Sequence, residues 1–303
     1  MPLPTSPRTV AVTGASGLVG RALLPALRTA GYQVIPLVRR APTAGEVRWD
    51  PSGSWDAAPL DRVEGIVHLA GEGIADKRWS AARKEAIRGS RVDGTRSLVA
   101  ALGTLSHPPR TLIAASAMGI YGNAGATLLT ESSPPGTDFL GKLAVEWEAE
   151  GSRAEAFGAR VMHLRSGIIL STDGGALGKM LLPFKLGIGG TLGSGRQWMS
   201  WITIDDLTRI IVSALGDDRY RGPINASTPT PLTNAEFTRE LGRALGRPAL
   251  IPVPAFALRL LFGEMADAAL LASQRMEPAR LNSLGFTWTY PQLEGALRHL
   301  LRR

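Results

Sequence analysis

Val10-Ala11-Val12-Thr13-Gly14-Ala15-Ser16-Gly17-Leu18-Val19-Gly20 decides the fold. An apolar, strand-like run at 9–13 gives way to glycines spaced G-x-x-G-x-x-G. A helical stripe of Leu18, Val19, Ala22, Leu23, Ala26 and Leu27 follows and stops at Gly31. In that strand–turn–helix setting Gly14 permits the tight turn, Gly17 lets the backbone approach a pyrophosphate, and Gly20 lets helix and strand pack closely. The free N–H groups at the helix start, around Ser16, Leu18 and Val19, then point at phosphate oxygens.

Outward from this turn, short apolar runs at 33–38, 65–70, 111–115 and 161–164, with a weaker one at 46–49, alternate with helix-like stretches. That alternation predicts an α/β fold, a Rossmann-type doubly wound parallel sheet. Beyond about residue 170 the text becomes glycine-rich, and residues 171–303 read as a smaller substrate lobe with a helical C-terminal region, set against a dinucleotide-binding domain at 1–170. In this second part 234–245 reads as a helix. Asp205-Asp206 reads as the cap of a helix beginning at Leu207.

The second strand ends in Val38-Arg39-Arg40. A fold selective for NAD usually carries an acidic residue there, on the adenosine ribose. A guanidinium cannot accept from ribose hydroxyls, but its planar fork suits a 2′-phosphate, so Arg39 and Arg40 predict NADP(H) as the cofactor.

The 303 residues carry a formal net charge of +8 and no cysteine. A thiolate metal site and a disulfide framework are therefore excluded, and the expectation is a reducing compartment, the cytoplasm. The basic residues are scattered, without a Lys/Arg block or an aromatic platform, which argues against nucleic acid as the partner. The proline-rich start at 1–8 resembles neither a signal peptide nor a membrane span, so no membrane partner is expected. The four histidines show no ligand spacing, and no metal or histidine base is assigned. A small-molecule substrate is the expected partner; oligomeric state is not legible.

Several segments resemble the extended short-chain dehydrogenase/reductases, within them the atypical branch of epimerase family proteins. They are His68-Leu69-Ala70-Gly71-Glu72, Lys77-Arg78-Trp79, Ser90-Arg91-Val92-Asp93-Gly94-Thr95, Ser116-Ala117-Met118-Gly119-Ile120-Tyr121-Gly122, Arg165-Ser166-Gly167 and Gly193-Ser194-Gly195-Arg196-Gln197-Trp198. The stretch from Gln274-Arg275 to Tyr290-Pro291 looks like the small uncharacterised domain that closes such proteins. The resemblance implies hydride transfer between nicotinamide and a carbonyl or alcohol carbon, with Leu69, Ala70, Gly71 and Arg91 beside the cofactor.

It also implies a Ser, Tyr, Lys and Asn set, of which only the lysine is plainly kept, as Lys142. Where the tyrosine of Y-x-x-x-K should stand there is Asp138; the serine position falls on Ala117 with Ser116 beside it, and the asparagine position is Arg91. Ser116, Tyr121 and Asp138 are therefore the candidates for proton handling, with Lys142 on the ribose. The arginine that grips a substrate diphosphate in nucleotide-sugar epimerases is replaced by Met199, with Arg196 and Lys185 nearby. Trp198 and Trp201 beside it predict a more apolar pocket and no nucleotide-sugar substrate. The reading is an NADP(H)-dependent oxidoreductase or epimerase-like protein acting on a small carbonyl or hydroxyl compound. Its alternative is a catalytically degenerate NADPH-binding sensor or scaffold.

Overall fold

A computed structural model describes residues 8–302; residues 1–7, which hold most of the proline-rich start, and Arg303 lie outside it. The chain runs β1 (Arg8–Thr13), α1 (Leu18–Thr29), β2 (Tyr32–Val38), β3 (Val47–Arg48), β4 (Gly65–His68), α2 (Ala81–Leu102), β5 (Thr111–Ala117), β6 (Leu128–Leu129), α3 (Phe139–Ser152) and β7 (Arg160–Ser166). There follow β8 (Ile168–Ser171), α4 (Gly175–Lys185), β9 (Trp198–Met199), β10 (Trp201–Thr203), α5 (Ile204–Gly216), β11 (Gly222–Ala226), β12 (Leu232–Thr233) and α6 (Asn234–Leu245). Last come α7 (Ala255–Phe262), β13 (Arg275–Met276), α8 (Ala279–Ser283) and α9 (Leu293–Leu300).

Seven of these strands form one sheet in the order β11-β7-β5-β4-β1-β2-β3, every pair parallel. Successive residues of a strand face opposite sides, and β1 shows the result. Val10 and Val12 pack with Leu23 and Leu27 of α1 and with Leu207, Ile210 and Ile211 of α5, whereas Ala11 packs with Leu98, Val99 and Leu102 of α2. Helices thus cover both faces, as a doubly wound sheet requires. The strand order reverses beside β1, which places the ligand crevice outside the carboxyl ends of β1 and β4.

The smaller core of the lobe joins Leu177 and Phe184 of α4, Met199, Trp201, Phe237 and Leu241 of α6, and Leu293 and Leu297 of α9. Helix α4 falls in the stretch read as glycine-rich, and its helical pattern is interrupted by Pro183 and flanked by glycines. The seventh strand of the large sheet, β11, and the helix α5 that covers it both come from beyond residue 171. Helix α5 begins at Ile204, not Leu207, because the Thr203 side chain accepts from the Asp206 N–H and caps it. Asp205 and Asp206 fill the first turn instead. Among the described residues no helix is long and apolar enough to cross a membrane.

Candidate cofactor and catalytic site

At the turn after β1, Gly14 has φ of 67°, and a Cβ there would lie 2.9 Å from the Ala70 nitrogen. A Cβ on Gly20 would lie 2.3 Å from the Gly14 carbonyl oxygen, so helix and strand could not close. Gly17 caps α1 with no side-chain hydrogen bond, and the first turn has no acidic residue. Its N–H groups and positive dipole end therefore have no side-chain acceptor among the described residues. These features fit a pyrophosphate.

Beneath the turn lies a buried relay. Thr13 Oγ1 accepts from the Leu69 and Ala70 N–H groups at 3.0 and 3.1 Å, which leaves its proton for His68 Nδ1 at 2.7 Å. Thr95 Oγ1 accepts from Trp147 Nε1 and receives the remaining His68 Nε2 proton, each at 3.0 Å. Burial lowers the His68 pKa to about 4, so the ring is neutral and its tautomer is fixed by its neighbours. The relay holds Leu69 and Ala70 against the glycine turn.

The expected cofactor cations fall into distinct surroundings. Arg40 is engaged by Glu46 in two hydrogen bonds of 2.7 Å. Arg39 is exposed and, among the described residues, forms no ion pair or hydrogen bond. Arg91 sits under Gly71, donates to the Glu72 carbonyl at 2.9 Å and lies 5.2 Å over the Trp147 ring; burial lowers its pKa to about 10. Lys142, exposed on the first turn of α3, has no side-chain partner among the described residues.

The three proton-handling candidates also differ. Ser116 is buried and donates to Glu148 Oε1 at 2.6 Å. Tyr121 is 4% exposed, donates to Asn225 Oδ1 at 2.6 Å and accepts from Arg165 at 3.0 Å; burial raises its pKa, and Arg165 opposes that. Asp138 is partly exposed and caps α3, its Oδ1 accepting from the Gly141 N–H at 2.8 Å. Asp138 and Lys142 therefore stand one helical turn apart, whereas Ser116 and Tyr121 belong to a buried network.

Sequence reasoning missed the centre of that network. Arg165 binds Glu148 through two 2.8 Å hydrogen bonds, and both are nearly buried. Burial would raise the Glu148 pKa, but Arg165 outweighs it and holds the carboxyl below the ordinary range. Glu131 Oε1 accepts from the Asn225 and Arg280 N–H groups at 3.1 and 3.2 Å. Arg165, directly after the strand-like run from Val161 to Leu164, was the available signal, since a buried cation needs an acidic partner.

On the lobe side, Met199 is buried in the lobe core and accepts from Asn234 Nδ2 at 3.3 Å. Trp201 is fully buried and donates to the Thr230 carbonyl, so the expectation that it borders a pocket is corrected: β10 turns it into the core. Trp198 is partly buried beneath Arg275, 4.3 Å from its ring. Arg196 and Lys185 are exposed. Asp206, fully buried, accepts from the Thr289 and Tyr290 N–H groups and from Arg209, and Asp205 faces His299 at 3.2 Å. The acidic pair thus docks the C-terminal segment.

This sheet and glycine turn define a Rossmann-type protein of the extended short-chain dehydrogenase/reductase class. Residues 10–225 match the NAD dependent epimerase/dehydratase family, and the chain belongs to it; residues 253–300 match a domain of unknown function, DUF1731. A similar protein is "Epimerase family protein Mb2239" of Mycobacterium bovis, 43% identical over 97% of this chain and 98% of that one. The crystal structure of human epimerase family protein SDR39U1 (isoform 2) with NADPH superposes with a TM-score of 0.91, at 34% identity, covering 97% of this chain and 99% of that one. A nucleoside-diphosphate sugar epimerase from Corynebacterium glutamicum superposes with a TM-score of 0.82 at 40% identity, covering 98% of this chain and 58% of that one.

Proposed function

We propose that this protein binds NADP(H) and is an oxidoreductase or epimerase-like enzyme for a small carbonyl or hydroxyl compound. The carrying observation is Arg39, which directly follows β2 and has no partner among the described residues, together with a glycine turn whose helix start has no side-chain acceptor among them. The bound NADPH of the human relative supports the same reading. In this reading the first turn of α1 takes the pyrophosphate, Arg39 the 2′-phosphate and Lys142 the ribose hydroxyls. Bound nicotinamide supplies hydride exchange with the substrate carbon. Asp138 accepts the substrate hydroxyl proton at Oδ2, since Oδ1 is occupied by the Gly141 N–H.

Met199, in the lobe core, offers no cation to a substrate diphosphate, which favours a substrate other than a nucleotide sugar. The absence of cysteine is in keeping with a cytoplasmic location. A second reading, an NADPH-binding sensor or scaffold, draws on the engagement of the Ser116 and Tyr121 hydroxyls inside the fold. Incubation of the protein with stereospecifically deuterated NADPH and a metabolite extract separates the two. Transfer of deuterium into a metabolite supports the enzyme; tight NADPH binding with no transfer in either direction overturns it in favour of the sensor.

A further inference from the structure

In the lobe, α6 carries arginines at four-residue spacing, Arg239 and Arg243, and the chain just beyond it adds Arg247. Residues four apart share a helix face. Gly246, with φ of 64°, ends the helix in the left-handed conformation and turns the chain back, so that the Arg247 N–H donates to the Gly242 carbonyl at 3.0 Å. A Cβ on Gly242 would lie 2.9 Å from the Arg247 carbonyl oxygen and 3.0 Å from the Ala249 Cβ, so only glycine allows this return. The doubled-back segment and the helix enclose an open cavity of about 520 Å³, lined by Thr191, Arg239, Arg243, Arg247, Pro248 and Leu250 among others.

Arg243 is accounted for within the protein: it lies in the last turn, beside the negative end of the helix dipole, and pairs with Glu240 at 2.9 Å. Arg239 and Arg247 are different. Both are exposed and line the cavity, and among the described residues neither guanidinium forms a hydrogen bond or a close ion pair, although Arg239 acts at longer range on the Glu236 carboxylate one turn earlier. Apolar surface from Ala235, Pro248, Ala249 and Leu250 lines the same cavity. A concave surface onto which two guanidinium groups open without a hydrogen-bonded carboxylate among the described residues attracts an oxyanion, and the planar fork matches phosphate geometry.

We infer that this cavity is a second anion site, separate from the dinucleotide crevice, for a small phosphate monoester with an apolar body. The phosphate meets Arg239 and Arg247; the apolar part lies on Pro248 and Leu250. The site shares no residue with the glycine turn, Arg39 or the Asp138–Lys142 pair. Its lining includes Thr191, whose carbonyl accepts from the Val253 N–H at 2.8 Å, so an occupant ties the 248–253 segment to the glycine-rich loop before β9.

Calorimetric titration of phenyl phosphate into the full chain, with and without saturating NADPH, tests the inference; NADPH occludes the glycine turn, the other phosphate-binding feature. The parent is expected to show saturable binding in both conditions. The double variant Arg239→Gln/Arg247→Gln is expected to bind about tenfold to a hundredfold more weakly, with unchanged NADPH affinity and thermal midpoint. Leu250→Glu is expected to weaken phenyl phosphate and is the second variant should the first be unstable. Inorganic phosphate, lacking the apolar part, is expected to bind the parent less tightly than phenyl phosphate. Absence of saturable binding in the parent under both conditions, or equal affinity in the parent and both variants, overturns the site. Binding abolished by NADPH assigns the phosphate to the cofactor crevice and overturns it as well.

Discussion

Tyr121 donates a 2.6 Å hydrogen bond to Asn225 although 104 residues separate them, and Arg165 donates to the same phenol. The bond clasps the turn after β5 to β11, and Asn225 in turn donates to the Leu129 and Glu277 carbonyls. A phenol committed in this way holds elements together rather than serving an incoming ligand.

Tyr121→Phe is therefore expected to destabilise the fold by about 1–3 kcal/mol, the cost of leaving buried partners unsatisfied. NADPH affinity should be unchanged. Denaturant midpoints and a fluorescence titration of NADPH measure both; full stability with lost turnover would return Tyr121 to the chemistry.

Arg39→Ala should weaken NADPH binding about tenfold to a hundredfold while leaving NADH affinity in place, because each charge-assisted hydrogen bond to a phosphate contributes roughly 1.5–3 kcal/mol. Arg40→Ala should change the ratio little, since Glu46 already engages that side chain. Equal NADPH and NADH dissociation constants in the parent would refute the assignment.

Asparagine caps a helix about as well as aspartate. Asp138→Asn should thus keep the thermal midpoint, yet lower alcohol oxidation by about 10²–10⁴-fold if the carboxylate takes the proton. Lys142→Ala should raise the dissociation constant for NADPH several-fold. Unchanged NADPH affinity in that variant would place the lysine away from the ribose.

Stability should fall in acid through His68. Burial holds its folded pKa at about 4, against an ordinary 6.5 that applies in the unfolded chain. The unfolded state therefore takes up the proton first, and the native state is fully favoured only above about pH 6.5. Between pH 6.5 and 4 the loss amounts to roughly 3 kcal/mol. Denaturant midpoints across that range should decline more steeply in the parent than in His68→Gln; parallel profiles would contradict the buried neutral ring.

The parts of the fold that were legible in the sequence are those written in neighbouring residues. The glycine turn, the stripe of α1 and the short apolar strands follow from local spacing, and they suffice to place the crevice beside β1. The Glu148–Arg165 pair joins α3 to β7, and Ser116 reaches Glu148 from β5. No local pattern links those positions. Trp198 and Trp201 look alike on the page, but one lies beneath Arg275 while the other is fully buried in the core, a difference set by their strands. Likewise the pairing of β11 with β7 depends on a return of the chain after α4 and α5, which periodicity cannot register.

That return shapes how the protein is made. A ribosome releases chain at roughly 5–20 residues per second, so several seconds pass between the emergence of β7, ending at Ser166, and that of β11, ending at Ala226. During that interval the outer edge of β7 has unpaired backbone groups and an apolar flank, the kind of surface on which nascent strands stick to one another. Completion of the nucleotide-binding sheet is thus a post-lobe event in synthesis, and chaperone occupancy of ribosome-bound chains should peak in the window between those two strands.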